Sequence, residues 1–268
     1  MSLFEEYRLV YIDSNKGEGT SENFTIDLGL DPSIDYTHVC LISADIPSSY
    51  YQVQLGYQDF AIIEDGVKVV VTIGEGNYKK KTFATEVTTQ LNASSPNGWT
   101  YEMLYQPRIE KYKITVTGNG GLQPTLSFSG TLFKHFGFNK NTSNVFIGGE
   151  LSSTNVIDLS GESILLLRTN MPFVDYGSNI LHEVFTAGYP PMSRIRFENK
   201  SIEAYSKKLA PDFNTSNFNF LLTSEPEETD SGEFVQLNGL PVFYTLLFYK
   251  KSDINSVLKD NIALNLLS

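Results

Sequence analysis

Three histidines, one cysteine and a run of carboxylates are the side chains of this 268-residue sequence best placed to do chemistry. An imidazole beside a nucleophile would act as a general base, two facing carboxylates as acid and base, and a His/Cys/carboxylate cluster as a metal site. Their surroundings point elsewhere. His38 lies in the apolar run Thr37–Ile46 and reads as a satisfied core or interface histidine. His135 sits between Phe133 and Phe136 and reads the same way, while His182-Glu183 follows Ile180-Leu181 and reads as loop-edge packing. No His-Glu-x-x-His or Gly-x-Ser-x-Gly pattern occurs.

Cys40 has no second cysteine to pair with and cannot begin a cysteine-based zinc site. Gly74-Glu75-Gly76 and Gly118-Asn119-Gly120-Gly121 do not continue as phosphate-binding loops, so they read as turns, where glycine supplies positive φ at no steric cost. The stretch 225–233 holds four glutamates and one aspartate, hard oxygens that could ligate Ca2+. It lacks the Asp-x-Asp-x-Asp-Gly order of an EF-hand loop and reads as a solvated loop. No catalytic, cofactor-binding or metal-binding residue is assigned, and enzymatic activity is not expected.

The elements that would position any site are short strands. Tyr7–Ile12, Phe24–Leu28, Thr37–Ile46, Phe60–Ile63 and Val67–Ile73 come first, and Glu64-Asp65-Gly66 between the last two is a strong hairpin signal. Trp99–Tyr105 and Tyr112–Thr117 form a second strand pair. Leu126–Phe128, Ile164–Leu167, Arg194–Phe197, Phe218–Leu222 and Phe243–Tyr249 follow, the last apolar on both faces. Helix is expected from Thr82 through Phe83, Ala84, Val87 and Leu91, and as one turn over Leu132–Phe136. Ile254, Val257, Leu258 and Ile262 recur at helical spacing in the tail, where a helix or a docked irregular arm is expected. Residues 139–153 read as a long loop. No stretch behaves as a linker, so a single all-β domain over 1–268 is expected: a jelly-roll β-sandwich with elaborated loops, one or two short helices, and residues 1–6 and 252–268 available as arms.

Composition limits the partners. A net charge of −11, from 20 basic and 31 acidic residues, disfavours binding to a phosphate backbone. No apolar run approaches a membrane span and no secretory leader is visible, so synthesis in a reducing compartment is expected. The five Asn-x-Ser/Thr sequons then read as chance. Aromatic residues are 13% of the chain. Tyr50-Tyr51 ends one strand and Tyr189 precedes Pro190-Pro191, positions where aromatics can anchor a protein–protein contact or plug the end of a sandwich. Tyr50, Tyr51 and Tyr189, with Ile254, Val257 and Leu258 of the tail, are the candidate interface.

The order of these segments carries a resemblance. Ala44-Asp45-Ile46-Pro47-Ser48-Ser49-Tyr50-Tyr51 leads to a short strand. Val69-Val70-Val71-Thr72-Ile73-Gly74-Glu75-Gly76-Asn77-Tyr78 then runs into the helix bearing Phe83, Val87 and Leu91. Over roughly residues 37–250 the chain resembles the penton (minor capsid) proteins of virophages and Polinton-like viruses. The resemblance implies a single jelly roll that assembles as a homopentamer at the capsid vertex within the virion, with no active site and no cofactor. Its implied partners are further copies of itself, the neighbouring major capsid protein and a fibre or spike protein. The alternative from another class is a receptor- or glycan-binding β-sandwich, such as a fibre head or lectin-like module.

Overall fold

The computed structural model describes residues 4–174, 179–190, 192–211, 213, 217–224 and 235–251. The strands in chain order open with β1 (Phe4–Asp13), β2 (Glu18–Gly19), β3 (Asn23–Asp27) and β4 (His38–Pro47). Next come β5 (Asp59–Glu64), β6 (Val67–Thr72), helix α1 (Lys80–Ser94), β7 (Thr100–Gln106), β8 (Lys111–Thr117), β9 (Thr125–Ser127), helix α2 (Leu132–Phe136), β10 (Ser143–Val145) and β11 (Glu150–Ser152). The chain continues through β12 (Ile164–Thr169), β13 (Ile180–Phe185), β14 (Arg194–Glu198), helix α3 (Ile202–Tyr205), β15 (Lys207–Lys208), β16 (Asn217–Ser224) and β17 (Phe243–Lys251). Two compact units result, one from 1–50 and 162–268, the other from 51–161.

The first unit is a jelly roll. One sheet runs β1-β17-β4-β14, with β15 also on β4, and the second runs β13-β12-β16-β3-β2. Every strand pairing in these sheets is antiparallel. Setting aside the two-residue β2 and β15 and the strands of the insert, the unit's eight strands fall in the orders 1-8-3-6 and 5-4-7-2. That is the paired four-stranded arrangement of a jelly roll. The alternation of β3 and β16 turns Phe24 and Phe220 inward, where their rings lie 5.6 Å apart. Tyr244 of the opposite sheet meets them at 6.5 and 6.1 Å, so the aromatic stack joins the two sheets. Burial pushes the Tyr244 hydroxyl well above the ordinary tyrosine range.

The second unit enters after β4 and leaves before β12, with its own core. One sheet runs β10-β9-β5-β6 and another β11-β8-β7. The expected turn closes the β5–β6 hairpin, with Asp65 and Gly66 at φ 46° and 80°, both positive as a type I′ turn requires. Helix α1 begins earlier than Thr82: Lys79 is its N-cap, and the Thr82 hydroxyl accepts from the Lys79 N–H at 3.0 Å. Its buried face is Phe83, Ala84, Val87 and Leu91, as the spacing predicts. The same helix covers the open edge of β7. Thr88 Oγ1 accepts from the Met103 N–H at 2.9 Å, and the Asn92 side chain exchanges two hydrogen bonds with the Tyr101 backbone. Residues 139–153, expected as a loop, instead contain β10 and β11, three residues each.

Glu64, at the end of β5, is fully buried. It accepts from Ser95 Oγ at 2.8 Å, from the Asn97 N–H at 3.0 Å and from the Tyr101 hydroxyl at 2.8 Å. One carboxylate thereby ties the hairpin to the end of α1 and to β7. The Tyr101 hydroxyl is pushed far up, by burial first and then by this bond.

His135 of α2 is also buried, a core histidine as the sequence suggests; backbone hydrogen bonds to Thr131 and Gln52 hold its ring, and its Nδ1 has no hydrogen-bond partner. Desolvation lowers its pKa to about 4, opposed by the Thr131 backbone bond, by Asp158 and by the Gln52 backbone bond, and reinforced by Lys134. Because the folded value lies below the unfolded one near 6.5, the unfolded state takes up the proton first. Stability is therefore lost as pH falls from about 6.5 to 4, by on the order of 3 kcal/mol. Urea melts of the protein and of His135→Gln should show the wild-type loss shrinking in the variant; equal pH slopes would dismiss the histidine as its cause.

Candidate interaction surface

The outer face of the sheet β1-β17-β4-β14 can be read row by row from its register. Tyr7, Tyr249 and His38 form one row, Leu9, Leu247 and Cys40 the next, then Tyr11, Thr245 and Ser43, and last Asp13, Phe243 and Asp45. The register slips between Thr245 and Leu246, which leaves Ile42 as the extra residue on β4. The segment 199–206, with α3, covers the β4 side of the first two rows. Asn199 Nδ2 lies 3.0 Å from Cys40 Sγ, and the Tyr249 hydroxyl donates to Ser206 Oγ at 2.7 Å. His38 stacks on Tyr249 with ring centres 5.3 Å apart. Burial raises the Cys40 thiol and lowers the His38 imidazole, the directions expected of structural groups.

Among the described residues the cover stops at β17, and the column contributed by β1 stays open. Tyr7 is 66% exposed, Leu9 43% and Tyr11 77%, and Phe243 continues the stripe at 40%. Arg194 stands over the Phe243 ring at 5.4 Å and pairs with Asp45, which puts a charged rim at that end. Among the described residues β1 pairs only with β17, so its outer backbone edge is open as well. Sequence reasoning saw Tyr7–Ile12 as one apolar run and missed this division. The signal was the alternation of Tyr7, Leu9 and Tyr11 with Val10 and Ile12, the second set buried in the core.

The residues singled out as an interface separate. Tyr50 is 9% exposed and belongs to the jelly-roll core, and Tyr51 is half-buried. Tyr189 is 37% exposed, and its hydroxyl donates to the Arg196 carbonyl at 2.8 Å. Ile254, Val257 and Leu258 lie outside the described residues, as does the acidic stretch 225–233.

His182 lies within strand β13, not at a loop edge. Its ring is 4.3 Å from that of Phe197 and 5.3 Å from that of Tyr205, in a cavity of about 320 Å³ also lined by Glu183, Phe185 and Lys207. Desolvation, then Lys207, lowers its pKa. Among the described residues no three His, Cys, Asp or Glu side chains gather as a metal site, and no helix is long and apolar enough to cross a membrane.

No family model matches the chain, and no curated protein matches it. Among solved structures it is similar to the crystal structure of the mavirus penton protein, at 12% identity and a TM-score of 0.47, over 92% of this chain and 100% of that one. It is also similar to a chain in the cryo-EM structure of the Sputnik virophage, at 14% identity and a TM-score of 0.41, over 91% and 98%. The jelly-roll assignment stands on this chain's own strand order.

Proposed function

We propose that this protein is a structural capsid subunit, a jelly roll that closes into a homopentamer at the vertex of an icosahedral virion and contacts the neighbouring major capsid protein. Its work is interface burial, not bond chemistry. The observation that carries this reading is the open stripe Tyr7, Leu9, Tyr11 and Phe243 on the outer sheet face, next to an open strand edge. Aromatics in such a place bury large areas at small rotamer cost, and a bare strand edge needs cover. Light scattering after size exclusion should give five times 30.0 kDa. Tyr11→Asp should weaken that assembly at least tenfold, read as the protein concentration at which it dissociates, with the monomer's melting unchanged. A wild-type protein that stays monomeric, alone and with capsid partners, overturns the reading.

One observation favours the glycan-binding alternative. The cleft around His182 is lined by Phe197, Tyr205 and Glu183, residue types that suit the apolar face and hydroxyls of a sugar. A glycan array decides it: binding lost in Tyr205→Ala would favour that role, and a blank array would remove it.

A further inference from the structure

A ring closed by one repeated contact needs two unlike patches on every subunit, because the interface is head-to-tail. The stripe on β1 supplies one. We propose that the other is the segment 252–268 of the adjacent copy, laid across Tyr7, Leu9 and Tyr11. This inference rests on the pentamer reading above.

Three observations support it. Lys251, the last residue of β17, pairs with Phe4 at the end of β1 that carries Tyr7, so the segment issues beside the stripe. Its 17 residues can extend to roughly 55–60 Å, enough to reach a second subunit. The segment also matches the stripe in chemistry and length. Ile254, Val257, Leu258 and Ile262 recur at helical spacing, and over eight residues a helical row spans about 12 Å. Tyr7 to Tyr11 on a strand spans about 14 Å. Burying these apolar groups against Tyr7, Leu9 and Tyr11 removes from water the surface that the segment 199–206 leaves open.

The test is photocrosslinking in the full-length chain, with Tyr11 replaced by p-benzoylphenylalanine and with equal amounts of isotopically heavy and light protein mixed before assembly. Peptides captured by position 11 are identified by mass, and the oligomer is weighed in the same sample. The expected result is a pentamer in which position 11 captures peptides from 252–268, about half of them as heavy–light pairs. Capture of 252–268 only as heavy–heavy and light–light pairs means the segment folds onto its own subunit, which overturns the proposal and leaves the pentamer standing. Capture of any other peptide within an intact pentamer does the same. A sample containing only monomer overturns the pentamer reading and this inference with it. In an independent arm, Leu258→Asp should raise the concentration at which the pentamer dissociates at least tenfold, and an unchanged value would count against the proposal.

Discussion

Glu64→Ala is expected to cost the 51–161 unit about 4 kcal/mol. The carboxylate holds three donors at 2.8–3.0 Å and is itself without exposure, and alanine leaves the buried Tyr101 hydroxyl without an acceptor and removes the bonds from Ser95 and the exposed Asn97 N–H. The orphaned hydroxyl costs about 1–3 kcal/mol, and the two lost charge-assisted bonds and the vacated volume add to that. Glu64→Gln keeps one acceptor oxygen and should lose roughly half as much. Trp99 is the only tryptophan and is itself part of this cluster, its backbone N–H donating to Ser95 Oγ at 2.8 Å. Its fluorescence during urea unfolding therefore reads this unit directly. A loss below about 1 kcal/mol would show that the bonds around Glu64 are readily replaced by water.

Gly137→Ala is the second large effect, at about 3 kcal/mol. Gly137 ends α2 at φ 72°, with its N–H on the Lys134 carbonyl and the Phe138 N–H on the Phe133 carbonyl, a Schellman closure. A methyl group there would stand 2.5 Å from the Asn155 carbonyl oxygen and 3.1 Å from Ser153 Cβ. The backbone of 153–155 would have to move, breaking the Asn155 N–H bond to the Gly137 carbonyl. Gly148 separates strain from collision, because it also has positive φ (60°) and nothing lies within 4 Å of its added carbon. Gly148→Ala should cost only about 1 kcal/mol. Equal losses in the two variants, again by Trp99 fluorescence, would mean the clash relaxes freely.

What the sequence showed, and what it hid, follows the range of the interactions. The β5–β6 turn and the face of α1 were legible because Asp65-Gly66 and the spacing of Phe83, Val87 and Leu91 act over a few residues. The run from β6 through Gly74-Glu75-Gly76-Asn77-Tyr78 into α1 was legible for the same reason. Strand β13 was not, because its period is broken by a buried His182 whose ring packs at a tilt against Phe197 of another strand. The jelly-roll order itself depends on pairing β1 with β17, across almost the whole sequence, and no local pattern encodes that partner. The division into two units left no mark in composition, since the chain passes between them without a linker. The open stripe was hidden for a further reason. Apolar residues on both faces of β1 say that both are covered, but whether the subunit itself covers the outer face depends on how far the distant segment 199–206 reaches.

The ends of the insert carry one more consequence. Gln52 donates through Nε2 to the Leu159 carbonyl and accepts the Tyr78 N–H through Oε1 at 2.7 Å, so the entry and exit of the 51–161 unit are stapled together inside that unit. For the jelly roll, the 111 residues of this unit between β4 and β12 then behave as a short loop, not as a flexible one. The difference in closure entropy is about 3 kcal/mol in favour of the folded host. Folding of the insert thus brings β4 and β12 within reach of their partners, and a lesion at Gln52 would be felt as slower folding of the sandwich in the other unit.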